Sequence, residues 1–99
     1  SAASDVYKRQ VMELAKKHTI VGDVRGGHGL MLGIELVSDQ SKKTPLDTSD
    51  MKKIHQKTYE FGAMVRLGLN NILMSPPLTI SENEVDQIID ALDEGLTAI

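Results

Sequence analysis

Apolar residues recur along this chain first every three or four positions, then every second position, and the switches between the two spacings mark out its elements. In "DVYKRQVMELAKKH", residues 5–18, Tyr7, Val11, Leu14, Ala15 and His18 fall at helical spacing. Asp5 stands near the start and Lys16 and Lys17 near the end, where a helix dipole favours them. From 20 to 37, "IVGDVRGGHGLMLGIELV", the period drops to two. Leu30, Leu32, Ile34 and Leu36 share one strand face, and Met31, Gly33, Glu35 and Val37 share the other. "GGHG" between the two apolar runs reads as a hairpin turn.

Residues 38–48, "SDQSKKTPLDT", are polar with one proline and predict a surface loop. A helix is expected from Thr48 to Phe61, with Met51, Ile54, Thr58 and Phe61 on its buried face and Gly62 just past its end. Two short strands follow, about 63–66 and 71–75, joined by the turn Leu69-Asn70-Asn71. The last helix has the fullest set of local signals. Ser81 and Glu84 form a capping box, and Ile80 and Val85 are spaced as a hydrophobic staple. Val85, Ile88, Ile89, Leu92, Leu96 and Ile99 then form one stripe. The order α-β-β-α-β-β-α implies an α/β (α+β) domain with helices on one face of a small, mainly antiparallel sheet. The other sheet face, carrying Met31, Gly33 and Glu35, is only half apolar and is expected to meet another domain.

Composition narrows the function. A chain of 99 residues makes one domain and buries roughly two-thirds of its unfolded surface. With two Tyr, one Phe and no Trp, its core must be aliphatic. The absence of cysteine removes disulfides and thiolate metal sites, in keeping with a cytoplasmic setting. A net charge of −3, with the lysine pairs scattered along the chain, argues against nucleic acid as a partner. The longest apolar run, Leu30 to Leu32, is far too short to span a membrane.

Few residues carry candidate chemistry. "RGGHG" at 25–29 does not fit a dinucleotide fingerprint and leads into a strand, so a plain hairpin is expected. His18, His28 and His55 have no metal-ligand spacing; His18 reads as a helix-end residue and His28 as an exposed turn residue. Asp86, Asp90, Asp93 and Glu94 predict a solvated acidic face on the last helix. Arg66 stands at the end of a strand before "LGLNN", either as a solvated strand end or as a group aimed at an anion.

"VGDVRG", "GLMLGIELV", a polar loop with a proline, "FGAMVRLG" and "SPPLTISENEVDQIIDAL" follow one another in an order that resembles class III aminotransferases. These are pyridoxal-phosphate (PLP) enzymes of fold type I. The resemblance covers about residues 11–97 and falls on the family's small C-terminal domain, which lies against a large cofactor-binding domain. Gly27 and His28 stand where the family usually has one residue, so the hairpin is expected to be longer here. The opening "SAASDVYKRQ" departs from the family and resembles a leader common in translated environmental reads. Residues 1–10 are therefore expected to be foreign to a domain spanning 11–99.

The resemblance implies a parent enzyme, a homodimer, whose Schiff-base lysine and phosphate loop lie in the large domain. No catalytic or cofactor-binding residue can be placed on this segment, which by itself is expected to be inactive. Several branches of the family carry a carboxylate-binding arginine at the position of Leu73. The ω-amino acid:pyruvate branch instead has one at the end of the preceding strand, and Arg66 matches it. The resemblance thus implies an ω-transaminase acting on an amino donor and a keto acid, with Arg66 as the substrate-binding residue. The rival reading is a free-standing α/β ligand-binding or oligomerisation module without catalytic activity.

Overall fold

The computed structural model describes residues 2–26, 32–75 and 80–99. Helix α1, Ala2–Lys17, presents Tyr7, Val11 and Leu14 to the core, and the stripe continues into His18, just past its end. The helix starts earlier than its apolar spacing required, and Tyr7, within the opening ten residues, is fully buried.

Strand β1, Val21–Arg25, pairs antiparallel with β2, Leu32–Asp39. Most of the expected hairpin turn, and His28 with it, lies outside the described residues. Leu32, Ile34 and Leu36 are buried toward the helices, as their alternation predicts. Val37 is buried on the other face, because β1 bulges between Val21 and Asp23 and brings Gly22 over it. A Cβ at Gly22 would stand 2.8 Å from Val37 Cγ1, so this bulge needs glycine.

The expected loop at 38–48 contains more order than predicted. Asp39 Oδ1 accepts from the Ser41 and Lys42 amides at 3.0 and 3.1 Å, and Lys43 adopts a positive φ of 57°. These bonds turn the chain back, and β3, Thr44–Pro45, pairs with the end of β2.

Helix α2, Thr48–Glu60, buries Met51, Ile54 and Thr58. Phe61 was expected on that face but is 52% exposed. It is the C-cap, at φ −91° and ψ 7°, so helical periodicity no longer directs its side chain. Gly62 follows at φ +104°, a value that favours glycine.

Strands β4, Arg66–Leu67, and β5, Asn71–Met74, complete a five-stranded sheet in the order β1-β2-β5-β4, with β3 paired to β2. Every pairing is antiparallel. Strand β4 is shorter and later than expected, so Arg66 opens it rather than ending it.

Helix α3, Glu82–Leu96, starts on the predicted capping box. The Glu84 amide donates to Ser81 Oγ at 3.2 Å, and the Ser81 amide donates to Glu84 Oε1 at 3.1 Å. Ile80 and Val85 are both buried, in keeping with the staple. Val85, Leu92 and Leu96 form the buried stripe, with Ile88 and Ile89 half-buried beside it. Ile99 departs from the expected stripe at 49% exposure, because the helix ends at Leu96 with Thr97 as its cap.

Gly95 lets α3 approach α2 closely. A Cβ there would collide with Thr58 Oγ1 and stand 3.0 Å from the Ile54 carbonyl oxygen. Helices α1 and α3 are joined by Gln10–Asp86 at 2.9 Å, Lys17–Asp93 at 2.6 Å and His18–Asp93 at 2.6 Å. The offset along the chain is 76 for the first two pairs, so these helices run parallel. Two of the four acids expected to be solvated therefore hold α1 in place.

Candidate functional site

The approach to β4 alternates as a strand would. Ala63 and Val65 are buried, whereas Met64 and Arg66 face outward. The turn at residues 69–71 brings β5 alongside, and Arg66 pairs in register with Leu73, with Leu67 opposite Ile72. Directly opposed residues project on the same side of a sheet. The guanidinium stem and the 40%-exposed Leu73 are thus neighbours on the face away from the helices. Gly33 is the next position across the sheet, paired to Leu73, and Arg25 pairs with Gly33 in turn.

The two arginines of that row differ in what surrounds them. Arg25 donates to Asp23 Oδ2 at 2.9 Å and to Glu35 Oε2 at 3.2 Å. The Arg25 guanidinium in turn holds the Asp23 carboxyl below the usual carboxylate range. Arg66 is exposed and makes no hydrogen bond or ion pair with any described residue. A groove of about 310 Å³ opens beside it, lined by Met64, Val65, Leu73, Met74, Ser75 and Ile88. An unpaired guanidinium at the rim of a mostly apolar groove suits a molecule with an anionic end and an apolar body.

The backbone around Arg66 is anchored on both sides. His55 Nε2 lies 3.0 Å from the Val65 carbonyl oxygen. Beyond the turn, Asn70 donates through Nδ2 to the Leu36 carbonyl at 2.9 Å, and the Leu36 amide donates to the Asn70 carbonyl at 2.7 Å. The sequence gives no signal for these contacts, because each joins residues that only the tertiary fold brings together.

The remaining candidates lie elsewhere. His18 is buried at the end of α1 and donates to Asp93, a partner that its helix-end position does not predict. The Lys17 ammonium, with help from His18, holds the Asp93 carboxyl below the usual range. Among the described residues, no group of three or more His, Asp or Glu side chains is placed to hold a metal ion.

Comparison with known proteins identifies the family of the chain. Residues 1–96 match the family described as Aminotransferase class-III. The chain is 41% identical over 86 residues to the adenosylmethionine-8-amino-7-oxononanoate aminotransferase of Staphylococcus aureus, covering 87% of this chain and 19% of that protein. It is 36% identical over 93 residues to the hypotaurine/taurine–pyruvate aminotransferase of Paracoccus denitrificans, covering 87% and 20%. Among solved structures, an amine transaminase from an uncultivated Pseudomonas species, in its PLP-bound internal aldimine form, superposes with a TM-score of 0.85. That pair shares 33% identity and covers 96% of this chain and 22% of the other. The chain thus spans about a fifth of the length of these relatives. By the family match over residues 1–96, the chain belongs to the class-III aminotransferases.

Proposed function

We propose that this chain is the substrate-contacting small domain of a larger PLP-dependent transaminase, and that Arg66 is its carboxylate anchor. The parent moves an amino group between an ω-amino acid or amine and a keto acid such as pyruvate. The observation that carries this reading is the guanidinium of Arg66, unpaired among the described residues and set beside Leu73 at an apolar groove. Relatives named for pyruvate and for amines support the substrate classes.

PLP requires a lysine amine for its aldehyde and several donors for its phosphate. The groove offers no lysine and one hydroxyl, Ser75, so its residues do not fit the cofactor. PLP, which supplies the electron sink for this chemistry, belongs with the large domain of the parent. The half-apolar sheet face, with Gly33 and Leu73, suits contact with that domain, and the parent is proposed to act as a homodimer.

The role of Arg66 follows from the two kinds of substrate. A keto acid presents a carboxylate, which the planar guanidinium fork grips through two charge-assisted hydrogen bonds. An amine without a carboxylate presents an apolar group, which Met64, Leu73 and Ile88 accommodate once the arginine side chain turns outward. At this exposed edge the pair of bonds together is taken as worth about 1.5–3 kcal/mol, the value of one charge-assisted bond, since water screens it. Arg66→Ala in the full-length enzyme should lower kcat/KM for pyruvate roughly ten- to several-hundred-fold. Single-turnover consumption of the PLP form by an amine lacking a carboxylate should change little. Equal losses for both substrate types would make Arg66 a structural residue.

A further inference from the structure

We propose that His55 is a positioning residue for Arg66, acting through the peptide that joins Val65 to it; this rests on the carboxylate-anchor reading of Arg66. His55 lies on α2, half-buried, with Nε2 at 3.0 Å from the Val65 carbonyl oxygen. A carbonyl oxygen only accepts, so Nε2 carries the hydrogen, and the bond forms with the neutral imidazole or the imidazolium. The Val65 carbonyl and the Arg66 amide belong to one planar peptide unit. Holding the oxygen therefore fixes the plane from which the Arg66 side chain departs.

The Arg66 half of that peptide unit is paired with Leu73 on β5 and the Val65 side chain is buried, so among the described contacts His55 is the one that holds the carbonyl oxygen. Between the end of α2 and β4, the Ala63 amide donates to the Thr58 carbonyl at 3.1 Å, and residues 63–65 have no regular structure. Strand β4 itself is two residues long and pairs on one side only, with β5. On the far side of Arg66 the chain is tied at Gly68, whose amide donates to the Asn71 carbonyl at 2.8 Å, and at Asn70. His55 thus closes the near end of a short edge segment whose far end is already fixed. It spans ten positions of chain to do so. Without its hydrogen bond the peptide before Arg66 can tilt, and the guanidinium spends less time where a carboxylate needs it.

The test uses the PLP-loaded, full-length parent enzyme with His55→Leu, which removes the donor, and His55→Gln, whose amide N–H can replace it. His55→Leu should raise KM for pyruvate roughly three- to tenfold, the factor one ordinary hydrogen bond is worth, with kcat little changed. The dissociation constant of propionate, an unreactive carboxylate titrated by absorbance, should weaken by the same factor. Single turnover of a carboxylate-free amine should stay at the wild-type rate, and His55→Gln should recover most of the loss. In an Arg66→Ala background, His55→Leu should add nothing, because its effect passes through the arginine. Equal damage to both substrate classes, an effect that persists without Arg66, or no effect on propionate binding would each overturn the proposal. If Arg66→Ala itself shows no preference for carboxylate substrates, the anchor reading fails and the positioning role falls with it. If Arg66→Ala is selective and His55→Leu is silent, only the positioning role fails.

Discussion

Gly95→Ala tests the tightest packing contact of the fold. In an exposed helix this change stabilises by about 1 kcal/mol, because alanine is the better helix former. Here the new methyl would collide with Thr58 Oγ1 and stand 3.2 Å from Thr58 Cβ and 3.0 Å from the Ile54 carbonyl oxygen. Thr58 is fully buried, and its hydroxyl donates to that same carbonyl at 2.7 Å, so it has no free space into which to turn. Either α3 moves off α2, at an overpacking cost of about 1–3 kcal/mol, or the hydroxyl loses its buried partner at a similar cost. Set against the gain in propensity, either cost alone leaves a net loss of up to about 2 kcal/mol, and the two together about 1–5 kcal/mol. That is a large part of the roughly 5–15 kcal/mol that holds a domain of this size. Urea melts of the chain followed by circular dichroism measure it directly. A second variant, Gly95→Ala with Thr58→Ala, removes the worst collision and should recover part of the loss, giving a non-additive pair. A single variant as stable as the wild type, or more so, would show that α2 and α3 do not meet at this point.

Three further perturbations follow from the same packing. Tyr7 is fully buried with no partner for its hydroxyl among the described residues, and burial pushes its phenol well above the ordinary range. Tyr7→Phe should therefore raise stability by about 1 kcal/mol, and a loss in thermal melts would reveal a hydrogen bond to that hydroxyl. Leu92→Ala removes a fully buried side chain and should cost about 2–5 kcal/mol, against about 1 kcal/mol for Ser81→Ala at the cap; equal urea midpoints would refute the packing of α3. Asp93 has its carboxyl held below the usual range, chiefly by Lys17 and against the opposing effect of partial burial. A depressed folded-state pKa gives stability that is present above the ordinary carboxylate value of about 3.9 and is lost as pH falls through the folded value. The wild type should accordingly lose stability more steeply below about pH 4 than Asp93→Asn does, and parallel acid limbs would show that the α1–α3 contact is not ionic.

What the sequence made legible was local. The capping box, the staple and the stripe of α3 each depend on residues within one or two turns, and the structure reproduces them. Phe61 and Ile99 failed because helical spacing was carried past the residue where each helix stops. Strand β3 was hidden because Asp39 and a positive φ at Lys43 turn the chain, neither of which alters the hydrophobic pattern. The need for glycine at 95 comes from Thr58 on another helix, which no local pattern shows. Arg66 was visible as an unusual residue, and its resemblance to a family position suggested a role. Its register with Leu73, its lack of an acidic partner among the described residues and its tether through His55 are consequences of tertiary pairing. No spacing rule reaches these.

The placement of Arg66 also suits the role proposed for it, slight as its element is. In the proposed role the side chain engages a carboxylate in one half-reaction and withdraws in the other, which needs freedom at its tip. A central strand would crowd the guanidinium with neighbours on both sides. An edge strand of two residues has a neighbour on one side only. An edge that short would by itself be among the least stable parts of the domain, with few backbone bonds to hold it. Here Val65 is held by His55, the turn is held by Asn70, and β5 supplies the pairing between them. The backbone is therefore fixed while the side chain stays free, and any movement in the proposed role falls on the rotamers of Arg66. Leu73 and Met64 offer it only apolar surface, and among the described residues no acid pairs with it, so in the proposed role none competes with the substrate for the guanidinium.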